Sequence, residues 1–293
     1  MTLDAAVREI QAKDGVRSGI TVYGPARETT APVMICTPAM GVPATYYQPL
    51  AEALSLRGVI VVTADLRGVG LSSVRARRGV DFGYHEIIAF DLPAVVDEVR
   101  TMFPGRPVFL LGHSLGGQLN CLYASTRPEG LSGLVLVAAQ SVYYKGWPFP
   151  RSIGVFFFEH FVRIVANTMG YFPGRFFRFG HREARRLIRD WAHQGLTGRY
   201  HVPESPLDFE ELLMGLELPI LAISFTDDLY GPASAVSRLL SKMTRSRTTR
   251  VQLSPADLGV ERLGHFGWMK QAELVAAGIA TWINETCKGP EAP

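Results

Sequence analysis

Short, nearly unbroken runs of β-branched and aliphatic residues alternate with longer segments in which apolar residues recur at helical spacing. Val33–Thr37, Val59–Ala64, Val108–Leu111, Leu134–Ala138 and Ile220–Phe225 have no polar alternation. Such runs suit strands buried on both faces of a parallel sheet. Val251–Leu253 is a shorter candidate, and Arg8–Ala12 and Ile20–Tyr23 alternate enough to be leading antiparallel edge strands. Between them, Tyr46–Leu56, His85–Met102, Gln118–Ser125, Ala233–Met243 and Met269–Glu285 carry the helical period. The alternation predicts an α/β fold with helices on both faces of the sheet.

The alternation stops between about Ser141 and Glu217. That stretch is aromatic-rich, offers no convincing buried strand, and contains one clear amphipathic helix with Ala184, Leu187, Ile188 and Trp191 on its apolar face. The expected organisation is a core of residues 1–140 and 218–293, interrupted by a helical insertion over 141–217. The Lys288–Pro293 tail is expected to fray.

Charge sharpens this division. The formal net charge is +3, but residues 151–199 hold nine arginines, no lysine and three acids, a formal +6 against −3 for the rest. Arg182, Arg185, Arg186 and Arg189 lie opposite the apolar face of the predicted helix. They are expected to form a solvated face, or else to meet a substrate carboxylate or phosphate, or an acidic partner or membrane. No nucleic-acid motif accompanies them, so nucleic-acid binding is not expected.

Composition excludes other classes. With 47% hydrophobic residues in 293, the chain can bury a core and is not a disordered polymer. Cys36, Cys121 and Cys287 are too few and too far apart for a disulfide scaffold. No His/Cys/Asp cluster has metal-ligand spacing. No apolar run reaches about 18 residues; the most apolar stretch, Ile153 to Ala166, is broken by Glu159, His160 and Arg163. Residues 1–18 show no apolar core behind a basic start. No transmembrane segment or secretory signal is therefore expected, and the expected location is cytoplasmic.

The chemistry is concentrated at Gly112-His113-Ser114-Leu115-Gly116, which follows a predicted strand and opens a predicted helix. In that context a G-x-S-x-G turn lifts the serine hydroxyl clear of the sheet, and the Leu115 N–H at the helix start points where an oxyanion would form. A serine needs a base, and the base an orienting acid, in the order serine, acid, histidine. Asp227 and Asp228 end the strand Ile220–Phe225, and His265 follows the last strand; the other six histidines precede the acid.

With Gly112–Gly116, the strand-end Asp228, the late His265 and the segment Asp65-Leu66-Arg67-Gly68-Val69-Gly70-Leu71-Ser72, the chain resembles the α/β-hydrolase fold family, close to its serine aminopeptidase/monoacylglycerol-lipase-like branch. The resemblance covers residues 20–285. It implies a mostly parallel eight-stranded sheet flanked by helices, a helical cap inserted after the sixth strand, and hydrolysis of an ester, thioester or amide of a small lipophilic acyl or aryl substrate, without a cofactor or metal. Acyl transfer on the same residues is an alternative; a cofactor-free oxygenase or lyase, or a non-catalytic ligand-binding protein, is more remote. The family's acid is followed four residues later by proline, which favours Asp228 (with Pro232) over Asp227 (with Gly231). The family often has His-Gly after the strand that here ends at Thr37. Pro38-Ala39 stands in its place, and the alignment makes the Met40 N–H the second oxyanion donor. Arg67, Gly68 and Gly70 are expected to be structural, with Asp65 and Arg67 satisfying loop backbone groups. His113, Trp147 and Phe266 are the candidate substrate contacts, and the aromatics of 143–179 are expected to line an apolar pocket or fill the cap's own core. A carboxylate or phosphate on the substrate would meet the arginines.

Overall fold

Each strand of the central sheet turns its alternate residues to opposite sides, and both sides are covered. The computed structural model describes residues 6–24 and 30–288; the tail expected to fray lies, from residue 289 on, outside the described residues. Eight strands form the sheet: β1 (Ala6–Gln11), β2 (Arg17–Tyr23), β3 (Val33–Thr37), β4 (Ile60–Ala64), β5 (Val108–His113), β6 (Gly133–Val137), β9 (Ile220–Phe225) and β10 (Thr248–Leu253). Their order is β1-β2-β4-β3-β5-β6-β9-β10, antiparallel at β1–β2 and β2–β4 and parallel from there on. On β3, Val33 and Ile35 face one core layer, and Met34 and Cys36 the other.

The second layer is closed by α1 (Gln48–Ser55) and α11 (Ala272–Lys288), which pack against each other. The first layer is closed by α3 (Leu92–Met102), which continues a turn α2 (Tyr84–Glu86) through one π-helical turn, and by α4 (Leu115–Thr126) and α9 (Ala233–Leu240). The continuous apolar text of β3, β5, β6 and β9 follows from burial on both faces. β10 is three residues longer than its apolar signal: it is an edge strand with half-buried and exposed positions, so only its end reads as apolar.

Between β6 and β9 the chain leaves the sheet. It forms α5 (Arg151–Met169), a small hairpin of β7 (Tyr171–Phe172) and β8 (Glu183–Ala184) enclosing α6 (Gly174–Phe177), then α7 (Arg185–Thr197) and α8 (Phe209–Gly215). The helix predicted around Leu187 is α7, packed on α5. The 19-residue α5 has no counterpart among the predicted helices. Its outer face is apolar too, with Ile153, Phe157, Phe161 and Ile164 exposed, and an apolar outer face erases the amphipathic contrast that marks a helix in sequence. The aromatics of this stretch accordingly divide three ways: Phe172 is buried, Phe158 and Phe179 line a cavity, and Phe149, Phe157 and Phe176 face solvent.

The arginine face of α7 is largely paired with carboxylates, although Arg185 stays exposed. Arg186 pairs with Glu86, Glu204 and Asp81, Arg185 with Asp81, and Arg189 with Asp190 and Glu204. The Leu187 N–H donates to the Phe82 carbonyl, and Asp190 accepts from the Tyr84 N–H. The charge on this face is thus met by Asp81 before α2, Glu86 of α2, Asp190 of α7 and Glu204 after it, a largely tertiary arrangement that helical spacing does not encode. Arg182 lies instead over the Tyr171 ring.

Replacing Arg186 by Ala leaves Glu86 without its cation at a partly buried contact, while Asp81 keeps Arg185 and Glu204 keeps Arg189. It should lower unfolding free energy by about 1–3 kcal/mol in urea titrations. Arg163→Ala, on the exposed side of α5, should stay within about 0.5 kcal/mol of wild type.

Candidate active site

β5 ends in a backbone that few non-glycine residues adopt. Ser114 has φ 53° and ψ −117°, and its N–H donates to the Val137 carbonyl at 3.1 Å while α4 begins at the next residue. The turn is possible because its flanks are glycine. A Cβ on Gly112 would collide with the Gly117 backbone, and one on Gly116 with the Thr37 carbonyl of β3. The serine is thereby raised at the carboxyl end of the sheet and lines a cavity. The N–H groups of Leu115 and Met40 find no partner among the described residues, and both residues line the same cavity.

His265 and Asp228 meet beside it. Asp228 Oδ2 lies 2.7 Å from His265 Nδ1, while Oδ1 accepts from the Tyr230 and Gly231 N–H groups at 2.8 and 3.0 Å. The carboxylate is fully buried, and three donors hold it. Asp227 turns away and accepts from the N–H groups of Leu263 and Gly264, both at 2.9 Å, pinning the loop that delivers His265. Ser114 and the His265 ring line the same cavity but make no hydrogen bond with each other. Asp65 does accept from loop N–H groups, those of Ala44 and Leu71, whereas Arg67 pairs with Asp14 and Asp91 rather than with loop backbone. Among the described residues no group of three or more His, Cys, Asp or Glu is placed to hold a metal ion.

The chain is similar to known proteins in sequence and in fold. The family described as Serine aminopeptidase, S33 matches residues 28–173. Human monoglyceride lipase is 37% identical over 92 residues, a stretch covering 31% of this chain and 29% of that enzyme. Among solved structures, the DcsB complex with its substrate analogue superposes with a TM-score of 0.67 at 15% identity, over 98% of this chain and 100% of that one. Est1E from Butyrivibrio proteoclasticus with ferulic acid bound gives 0.66 at 16%, over 95% and 99%. The chain belongs to the α/β-hydrolase superfamily, in its serine aminopeptidase and monoglyceride-lipase-like branch.

In this α/β-hydrolase chain His113 is not a substrate contact. It is fully buried behind the cavity wall, where a side chain inside the sheet's upper edge has no path to a ligand. Its Nδ1 lies 2.7 Å from Tyr47 Oη, and its Nε2 lies 2.9 Å from the His265 carbonyl. Tyr47 Oη accepts from the Ala39 N–H at 2.9 Å, so its hydroxyl proton goes to His113 Nδ1, and Nε2–H donates to His265. Burial and the neighbouring His265 push the His113 pKa well down, which keeps this neutral tautomer. One chain of hydrogen bonds therefore joins the loop of Ala39 and Met40, the Ser114 turn and the His265 loop. The Trp268 indole N–H adds a second donor to the same His265 carbonyl at 3.1 Å. This role for Tyr47 had no sequence signal, since it depends on a contact across 66 residues. The Pro38-Ala39 departure is accommodated one turn later: Gly41, at φ 69°, is the left-handed residue of the loop.

The cavity, about 500 Å³, lies between the sheet edge and the inserted segment. Trp147 and Phe266 line it as the sequence suggests, and Trp147 is tied by its indole N–H to the Leu229 carbonyl at 3.3 Å. Sequence reasoning did not single out Gln140, Arg151, Glu159, Arg178 or Tyr230, which also line it, because their nearness to Ser114 is purely tertiary. Glu159 is fully buried, neither carboxyl oxygen has a partner among the described residues, and the group presses on Gly195 of α7. Desolvation raises its pKa to about 9, so it is a neutral acid at neutral pH.

Two outcomes follow from these contacts. Tyr47→Phe leaves the Ala39 N–H and His113 Nδ1 unpaired, and should cost about 1–3 kcal/mol of unfolding free energy. For Glu159, the folded state keeps a proton that the unfolded chain loses above the ordinary carboxyl value of 4.5. Stability should therefore fall as pH rises from there toward about 9, by up to about 1.4 kcal/mol per pH unit. Glu159→Gln should remove that slope, so that its gain in Tm over wild type grows from pH 5 to pH 8.5; parallel melting curves would sink the assignment.

Proposed function

We propose that the protein is a serine hydrolase that cleaves an ester of a lipophilic acyl or aryl acid through an acyl-enzyme. The observation that carries this reading is the convergence on one cavity of a strained serine, an Asp-paired histidine and two unpaired backbone N–H groups. In the mechanism, Asp228 holds the His265 ring with Nδ1–H toward itself, leaving Nε2 as the base. His265 takes the Ser114 proton as Oγ attacks the ester carbonyl, and the Leu115 and Met40 N–H groups hold the oxyanion. His265 then gives that proton to the leaving alcohol. Water, activated by the same histidine, releases the acid and restores the serine.

The substrate class rests on the wall. Val142, Trp147, Val155, Phe158, Phe179 and Trp191 make it mainly apolar, and a cavity of this size suits a small ligand. The monoglyceride lipase relative and the ferulic acid bound in Est1E bracket the same range, a lipid acyl group and an aryl acid. Residues 141–217 act as the lid of the core formed by 1–140 and 218–293, and exclude bulk water from the developing charge. Among the described residues no helix is long and apolar enough to cross a membrane. The substrate is taken as a small molecule, with no nucleic acid involved.

Ser114→Ala should abolish cleavage of nitrophenyl esters, with a loss of about 10³-fold or more in kcat, and should abolish labelling by a fluorophosphonate probe. Asp228→Asn should lose a similar factor by upsetting the histidine tautomer. Full esterase activity in Ser114→Ala would refute the reading.

A further inference from the structure

The basic residues of the inserted segment differ in what meets them. Arg185, Arg186 and Arg189 are neutralised by carboxylates, as described above. Arg151 and Arg178 have no carboxylate partner among the described residues, and both line the cavity that holds Ser114. Both are also exposed, so they stand where the cavity meets solvent. The rest of that wall is nearly uncharged. Its one acid is Glu159, which burial keeps protonated, so no carboxylate competes for the two guanidinium groups.

Two local features make these positions costly places for arginine. Arg178 caps α6 with φ 55° and ψ 32°, left-handed backbone that a side chain disfavours by about 1 kcal/mol relative to glycine. The other left-handed helix ends of the segment, after α5 and α7, are Gly170 and Gly198. Arg151 is the first residue of α5, where the helix dipole is positive; that turn holds no acid and no side-chain cap. Two cations without a carboxylate partner among the described residues, one of them at a positive helix end, on the wall of a mainly apolar cavity are complementary to an oxyanion, which a guanidinium can bind through two parallel hydrogen bonds.

We propose that Arg151 and Arg178 form an anion subsite, and that the substrate is an ester whose apolar body carries a carboxylate or phosphate group away from the scissile bond. The proposal rests on the reading of the protein as an ester hydrolase, and its test separates the two. Mono-4-nitrophenyl suberate is compared with its methyl ester, which has the same length but no charge. A third ester ends in a phosphate instead of the carboxylate. The readout is the ratio of kcat/KM for the charged to the neutral ester on the same protein, so a general loss from repacking cancels.

The wild type should favour a charged ester by about tenfold or more at low salt, with the ratio falling as ionic strength rises. Whether carboxylate or phosphate is favoured more identifies the source of the anion. The ratio should collapse toward one in the Arg151→Gln/Arg178→Gln double variant and persist in Arg163→Gln. Calorimetry of Ser114→Ala with monomethyl suberate and dimethyl suberate tests the subsite without turnover. Preferential binding of the monoanion there, in a protein whose wild type cleaves no ester, would keep the subsite and discard the hydrolase. Equal cleavage of charged and neutral esters, or a ratio unmoved in the double variant, would overturn the subsite and leave the hydrolase standing.

Discussion

Everything at this site depends on the backbone at Ser114. A positive φ on a non-glycine residue between a strand and a helix is unfavourable by itself. It persists because the surroundings over-determine it: the Val137 carbonyl holds the serine N–H, and Gly112 and Gly116 let β5, α4 and β3 come closer than any Cβ would allow. The strain is local, but what opposes it is the packing of the whole sheet centre. The same geometry sets the start of α4 and leaves the Leu115 N–H without a partner among the described residues, on a residue that lines the cavity.

Around that turn lies a buried polar frame. Tyr47, His113 and the carbonyl of His265 connect three loops from distant parts of the chain, and Asp227 pins the third from the other side. In a low-dielectric interior such bonds are stronger than at the surface, and each unpaired member is costly, so the frame favours a single relative placement of the loops. Asp228 and Asp227 are adjacent in sequence and divide the work between the histidine ring and the histidine loop.

The inserted segment combines two kinds of contact. Ion pairs from α7 to Asp81 and to Glu86 of α2 join it to the core and absorb part of its positive charge, while apolar side chains of α5 and α7, with Phe179 after α6, line the cavity. Of the arginines that no carboxylate meets among the described residues, Arg151 and Arg178 are those that line the cavity. The two arginines proposed to select the substrate thus lie in a part of the chain that contributes no strand to the central sheet.

Much of this was legible in the chain itself. Continuous apolar runs identified the parallel strands, since burial on both faces removes the need for polar alternation. The G-x-S-x-G turn, the strand-end aspartates and the late histidine marked the candidate site, because a strained elbow demands glycines at fixed offsets. The edge strand β10 was only partly visible, and α5 not at all, because half-buried and doubly apolar faces blur the period. Only the tertiary structure placed Tyr47 and His113 in one hydrogen-bonded chain, turned Arg185 and Arg186 of α7 onto carboxylates of the core, and brought Arg151, Glu159 and Arg178 to the cavity wall. Local spacing determines which face of a helix or strand a residue occupies; what that face meets is decided by segments far away in the chain.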